Sequence, residues 1–197
     1  MNLNVADFEA AYGTFSQLPI SDLPEIAFAG KSNVGKSSLL NKLFNRKALA
    51  RVSSVPGKTI TINFYNVGDA RFSDLPGYGY AKVAKTEKNR WAEMLEGYFK
   101  SDRDIRLVVQ LIDMRHPPSK DDLMMIDFLE QLEFKFIIVM TKSDKLNKTE
   151  YKNRLESVIK EIPNVLPKDI IAFSATNGEG REEIIKRINE VINCEGE

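Results

Sequence analysis

An α/β fold is what this sequence predicts: a mostly parallel six-stranded sheet with one antiparallel strand and helices on both faces. Three observations carry the prediction. Short apolar runs rich in branched and aromatic residues alternate with longer amphipathic stretches. Most of the runs are continuous, as strands covered on both faces are. A length of 197 residues with 43% hydrophobic content suits one domain with a substantial core.

The elements follow in order. Glu25-Ile26-Ala27-Phe28-Ala29 reads as a buried strand, followed by a Gly-rich turn and a helix over 36–45 with Leu39, Leu40 and Leu43 on its inner side. Residues 60–67 and 70–74 read as a strand pair turning at Gly68-Asp69, the source of the antiparallel strand. Thr86 caps a helix over 86–100 in which Trp91, Leu95, Tyr98 and Phe99 recur at helical spacing. The strand over 107–114 ends before His116-Pro117-Pro118, and Ser119 with Asp122 three residues on signals a capped helix. A strand over 134–140, a helix near 149–161, a strand over 170–173 and a helix over 179–192 complete the pattern. Met114, Met124, Met125 and Met140 read as core filling, and His116 as structural. Residues 1–22 form an extension in which Phe8, Tyr12 and Phe15 add a strand or dock on the sheet; residues 23–193 form the domain and 194–197 a tail.

Composition excludes several function classes. Cys194 is the single cysteine, which rules out an internal disulfide and a secreted framework. No apolar run approaches the ~18 residues of a membrane span. The first residues carry Asp7 and Glu9 instead of a basic stretch leading into an apolar one, so a cytoplasmic protein without a membrane partner is expected. Lys+Arg and Asp+Glu both total 28. That balance hides an asymmetry. Between Ile26 and Gly68 no acidic residue occurs, whereas Lys31, Lys36, Lys42, Arg46, Lys47, Arg51 and Lys58 do, so this stretch carries +7 and the remainder −7. A polyanionic ligand at one end of the molecule is implied.

Ligands of parallel sheets bind at the carboxyl ends of the strands, and the chemistry-bearing motifs fall there. Gly30-Lys31-Ser32-Asn33-Val34-Gly35-Lys36-Ser37 matches GxxxxGK[ST] between a strand and a helix. The glycines let backbone N–H groups and the helix N-terminus face a β-phosphate, Lys36 bridges the β- and γ-phosphates, and the Ser37 hydroxyl ligates magnesium. Asp74-Leu75-Pro76-Gly77 ends a later strand, where Asp74 holds magnesium through water and Gly77 offers its N–H to a γ-phosphate. In Thr141-Lys142-Ser143-Asp144 the Asp144 carboxylate accepts from N1 and N2 of guanine, a pair that adenine lacks, and Lys142 lays its stem on the purine. Phe173-Ser174-Ala175 supplies a further backbone amide near the guanine O6.

These four motifs, in this order, resemble the GTPase branch of the P-loop NTPases. With the stretch from Ser53 through Pro56-Gly57-Lys58-Thr59 to Tyr65, with Asp74-Leu75-Pro76-Gly77-Tyr78-Gly79-Tyr80-Ala81, and with Asp113-Met114-Arg115-His116, the chain is similar to the EngB family of bacterial GTPases. The resemblance covers 23–192 and implies a single Ras-like GTPase domain that binds GTP or GDP with magnesium. It also implies a role in assembly of the large ribosomal subunit, and through that in growth and septation. By the resemblance, Thr59 binds magnesium beside Ser37 and Asp74, and Gly57, Lys58, Thr59, Ile60 and Thr61 lie along the γ-phosphate, with Lys36, Thr59 and Gly77 as the catalytic set. Thr141 stands where most GTPases have Asn. Tyr78 takes the place in which Ras-like proteins orient the attacking water with Gln, so intrinsic hydrolysis is expected to be slow. Asn33 occupies the place of a potassium ligand in some potassium-activated GTPases.

Ribosomal RNA is the expected partner, with no DNA contact and a monomeric chain. Arg46, Lys47 and Arg51 on one side, and Lys82, Lys85, Lys88 and Arg90 on the other, supply phosphate contacts, with Tyr78, Tyr80 and Trp91 interleaved for base stacking. An adaptor in which GTP binding matters and hydrolysis is incidental is the alternative reading.

Overall fold

The computed structural model describes residues 1–50, 60–79, 85–162 and 164–193. Among them run seven strands, β1 (Asp7–Tyr12), β2 (Glu25–Gly30), β3 (Ile62–Asn66), β4 (Arg71–Asp74), β5 (Ile105–Asp113), β6 (Phe136–Thr141) and β7 (Ile170–Ala172). Five α-helices accompany them: α1 (Lys36–Leu43), α2 (Lys85–Lys100), α3 (Lys120–Gln131), α4 (Lys148–Glu161) and α5 (Arg181–Asn193). The strands form one sheet in the order β1-β3-β4-β2-β5-β6-β7. β3 runs antiparallel to both neighbours and every other pairing is parallel.

β2 lies mid-sheet with all six residues buried, which is why its sequence shows no polar alternation. β5 and β6 send successive side chains to opposite faces. Leu107, Val109, Leu111, Ile137 and Val139 pack with Leu39 and Leu43 of α1 and Ile184 and Ile188 of α5. On the other face Val108 meets Met94 and Leu95 of α2 and Met125 and Leu129 of α3, while Ile112 and Ile138 meet Val158 of α4. The expected cap of α3 is present: Ser119 and Asp122 bond reciprocally. Met114, Met125 and Met140 fill the core as expected, whereas Met124 is exposed on the outer side of α3.

The sheet has seven strands, not the six expected. The extra one, β1, comes from residues 1–22 and pairs with β3 across a register shift between Phe8 and Ala10. An edge strand bonds on one side only, and β1 is exposed or half-buried throughout, so it lacks the apolar signature of its neighbours. Long-range polar contacts hold this segment down. Arg71 donates to both carboxylate oxygens of Glu9, at 2.8 and 2.9 Å, and Arg103 donates to the Pro19 carbonyl at 2.8 Å.

Those arginines converge on Glu25, which is fully buried at the amino end of β2. Its carboxylate also accepts from Ser73 at 3.1 Å and Tyr98 at 2.7 Å. A buried carboxylate is tolerated only when paired and hydrogen-bonded, and Arg103 is the closest cation. Replacing Arg103 with Leu is therefore expected to lower the free energy of unfolding by about 3 kcal/mol. Urea denaturation checks this, and a loss below about 1 kcal/mol would show that Arg71 and the hydroxyls suffice.

Candidate nucleotide-binding site

After Gly30 the chain turns through left-handed backbone at Asn33 (φ 63°) and Gly35 (φ 110°) before entering α1. Gly35 is the N-cap, and no side chain caps the helix. Among the described residues the first-turn N–H groups therefore lack a side-chain acceptor at the positive end of the helix, where an anion would be favoured. Two neighbouring segments, the end of β6 and the stretch after β4, hold the turn in place through three hydrogen bonds. Thr141 Oγ1 donates to the Val34 carbonyl at 2.6 Å, Lys142 Nζ to the Asn33 carbonyl at 2.8 Å, and the Tyr78 carbonyl accepts from Ser32 N–H at 2.9 Å. Thr141 thus makes, through a hydroxyl, the tie to the phosphate loop that its departure from Asn put in question.

Lys36 and Asp74 form an ion pair in which both side chains are largely buried. Asp74 also accepts from Asn63 at 3.4 Å. Lys36 cannot serve a phosphate and Asp74 fully at once. When Lys36 turns to a phosphate, Asp74 needs another cation, and a hydrated magnesium ion matches that demand with hard oxygen donors. Among the described residues no group of three His, Cys, Asp or Glu side chains comes together to hold a metal. A divalent ion here would draw on Ser37, Asp74 and oxygens of a bound phosphate, and hard oxygen donors of that kind fit magnesium.

Gly77 lies against the phosphate loop. A Cβ there would stand 2.9 Å from Ser32 Oγ and 3.1 Å from Ser32 Cα, so only glycine permits the approach. The Ser32 hydroxyl is itself buried with no hydrogen-bond partner among the described residues. Leu75 N–H donates to the Phe28 carbonyl at 3.0 Å, and Trp91 Nε1 donates to the Pro76 carbonyl at 2.9 Å.

The loops expected to read the base meet at the ends of β6 and β7. Lys142, in left-handed backbone at φ 63°, places its Nζ between the Asn33 carbonyl and Asp113 Oδ2, each 2.8 Å away. Partial burial works against ionisation of Asp113, but hydrogen bonds from Arg115 and Lys142 outweigh it and hold the carboxyl well below the usual carboxylate range. Asp144 accepts from Ser174 Oγ at 2.8 Å and Thr176 Oγ1 at 3.2 Å, with Lys145 at 3.1 Å. The Ser174 hydrogen bond, joined by Lys145 and Thr176, lowers its pKa, so Asp144 is an acceptor-only group at neutral pH. Phe173 is buried and bonded to β6 and to the loop that follows it, accepting from Ser143 N–H at 3.2 Å and donating to the Met140 carbonyl at 2.8 Å. Ala175 follows it, half-buried.

Tyr78 departs from its expected place among exposed, base-stacking aromatics. It is 5% exposed, because its hydroxyl is drawn into the core, donating to Asp122 Oδ1 at 2.6 Å and accepting from Gln110 Nε2. Burial, then the Asp122 charge, push its pKa well above the ordinary phenol value, so it stays a neutral donor. Trp91 is half-buried, edge-on to Tyr78 at 5.9 Å. Arg90 is engaged by the Gly13 carbonyl at 2.9 Å. Sequence reading missed Gln110 and Asn63 altogether and saw in Asp122 a helix cap alone, since contacts between distant segments leave no local signal. Ile60 and Thr61 are half-buried, Thr61 donating to Asn63 at 3.3 Å. Arg51, Gly57, Lys58, Thr59, Tyr80, Lys82 and Cys194 lie outside the described residues, as do the side chains of Lys85 and Lys88.

Comparison with known proteins adds three findings. A family model described as "50S ribosome-binding GTPase" matches residues 25–142. The chain is 47% identical to the probable GTP-binding protein EngB of Exiguobacterium sp. (strain ATCC BAA-1283 / AT1b) over 100% of both chains. It is 49% identical to the same-named protein of Bacillus cytotoxicus over 88% of each. Among solved structures, a probable GTP-binding protein engB superimposes with a TM-score of 0.72 at 26% identity, covering 85% of this chain and 98% of that one. Era in complex with MgGDPNP and nucleotides 1506–1542 of 16S ribosomal RNA gives a TM-score of 0.63 at 25% identity, covering 90% of this chain and 59% of that one.

The Tyr78 geometry generates a prediction about stability. Tyr78→Phe leaves Asp122 Oδ1 without its donor and is expected to cost about 1–3 kcal/mol in a urea titration. A variant as stable as the parent would mean that water replaces the hydroxyl.

Proposed function

The chain belongs to the EngB family of GTP-binding proteins and is a GTPase, and from that premise we propose that it is a magnesium-dependent cytoplasmic switch in assembly of the large ribosomal subunit, and so in growth and septation. The observation that carries the switch reading is the joining of phosphate and base loops at the carboxyl ends of the strands. Lys142 bonds the phosphate loop through the Asn33 carbonyl, and two residues on stands Asp144, whose carboxylate is free of any buried cation. In this reading Lys36 and the α1 N-terminus take the β- and γ-phosphates, and Ser37, Thr59 and, through water, Asp74 hold magnesium. Gly77 donates to the γ-phosphate, while Asp144, Lys142 and the Ala175 amide take the base. Among the described residues no helix is long and apolar enough to cross a membrane.

Tyr78 cannot orient a water while its hydroxyl is committed to Asp122. Hydrolysis is accordingly slow until charge stabilisation comes from a ribosomal component or from a potassium ion against Asn33, whose side chain is exposed beside the phosphate turn. The same burial favours a second reading, the adaptor in which GTP binding does the work. Release from particles with GTP against a non-hydrolysable analogue separates the two.

The ribosomal half rests on the family description and on the RNA-bound relative. In this reading the domain's own cations contact RNA. Lys42, Arg46 and Lys47 line an open cleft of about 390 Å³ beside Ala175, a place where phosphates of ribosomal RNA would meet cations.

Two outcomes are expected. Asp144→Asn should move preference from guanosine to xanthosine nucleotides, because Asn donates to the O2 that xanthine carries in place of the guanine amino group. Unchanged GTP affinity in titration calorimetry would remove the base-reading role. Binding to large-subunit particles should be tighter with GTP than with GDP and fall steeply with salt, and Arg46→Glu with Lys47→Glu should weaken it about tenfold or more with GTP affinity retained. Co-sedimentation at matched salt measures this, and normal binding by the double variant would reject the proposed RNA surface.

A further inference from the structure

Glu179 sits just before α5 between two left-handed glycines, Gly178 (φ 85°) and Gly180 (φ 76°). A Cβ at Gly180 would come within 2.1 Å of the Ala172 carbonyl, so the turn is packed hard against the end of β7 and Glu179 has little freedom to move. Its carboxylate, next to the base-reading loops, has no ion-pair partner among the described residues. It accepts instead from two hydroxyls, Ser143 Oγ at 2.6 Å and Tyr151 Oη at 2.6 Å. Burial and the neighbouring carboxylate push the Tyr151 pKa up to about 12, which keeps that hydroxyl a donor.

Both routes from Glu179 lead to Asp144. Through its side chain it holds Ser143, the residue immediately before Asp144. Through its backbone carbonyl it accepts from Ser174 N–H at 3.2 Å, and Ser174 Oγ in turn donates to Asp144 at 2.8 Å. Ser143 N–H and the Phe173 carbonyl, at 3.2 Å, make the direct backbone bond between the two loops. The spacing between Asp144 and the Ser174-Ala175 segment therefore depends on one residue outside the site through two groups, its carboxylate on Ser143 and its backbone carbonyl on Ser174.

We propose that Glu179 is a positioning residue for base selection: it holds Asp144 and the Ser174-Ala175 segment at the separation a guanine edge requires, without touching the nucleotide. The proposal rests on the reading of Asp144 as the group that accepts from the guanine N1 and N2 donors. An edge with two donors tests alignment more severely than an edge with one. Loosening Asp144 therefore costs guanosine diphosphate more than inosine diphosphate, which lacks the 2-amino group.

The test is titration calorimetry of the full chain with guanosine, inosine and xanthosine diphosphates. Glu179→Ala is expected to reduce the guanosine-to-inosine affinity ratio about tenfold. Glu179→Gln, which keeps one acceptor oxygen and leaves hydroxyls free to rotate, should retain the ratio within about threefold of the parent. A role in folding alone would lower the melting temperature and leave the ratio untouched, and that result overturns the proposal. If Glu179→Ala fails to fold, Ser143→Ala cuts the same tie, and a parental ratio there overturns the proposal equally. The Asp144→Asn arm separates the two readings. If that variant still prefers guanosine diphosphate, the base-reading role falls and the proposal with it. If it turns to xanthosine diphosphate while Glu179→Ala keeps the parental ratio, the proposal alone falls.

Discussion

The phosphate loop is a turn that cannot hold its own shape. With Asn33 and Gly35 both left-handed, carbonyls at Asn33 and Val34 point away from any helical partner and must be bonded from outside. Lys142 and Thr141, both from the end of β6, take those two carbonyls, and the Tyr78 carbonyl takes the Ser32 amide. The elements that would read the base and sense the γ-phosphate are thus the ones that keep the phosphate cradle open. Preorganisation of this kind lets backbone donors act on a phosphate without first being ordered.

The sheet distributes charge in a matching way. At the amino ends of its strands, Glu25 is neutralised by Arg103 with Arg71 nearby, and both guanidinium groups lie about 5.4–5.5 Å from the Phe64 ring. That end is closed by ion pairs. At the carboxyl ends Lys36 and Asp74 oppose each other beside an uncapped helix terminus, and Asp144 is held ionised by Ser174, Thr176 and Lys145. One end of the fold stores its ionic groups in structure; the other keeps them available for exchange with a ligand.

Much of this was legible in the sequence because the informative features are local. The phosphate loop, the Asp74-Leu75-Pro76-Gly77 turn and Thr141-Lys142-Ser143-Asp144 each occupy a few consecutive residues at the end of an apolar run, and the structure gathers them at the carboxyl ends of the strands. β1 was only half legible: the sequence left residues 1–22 open between an added strand and a docked segment, since an edge strand exposed along most of its length carries no strong period. Tyr78 misled because an aromatic next to lysines looks like a stacking platform, whereas its fate is decided by Gln110 and Asp122, 32 and 44 positions away. Glu179 and Thr141 illustrate the same limit. What each side chain does depends on a partner that only the folded topology brings near.

The central claim is that the base loops and the phosphate loop form one preorganised unit. A crystal structure of the chain with guanosine diphosphate and magnesium tests it most directly. The account requires the Thr141–Val34 and Lys142–Asn33 hydrogen bonds to persist, with the base edge on Asp144 and the Lys142 stem along its face. A nucleotide bound with either bond broken, or with its base out of reach of Asp144, would contradict it.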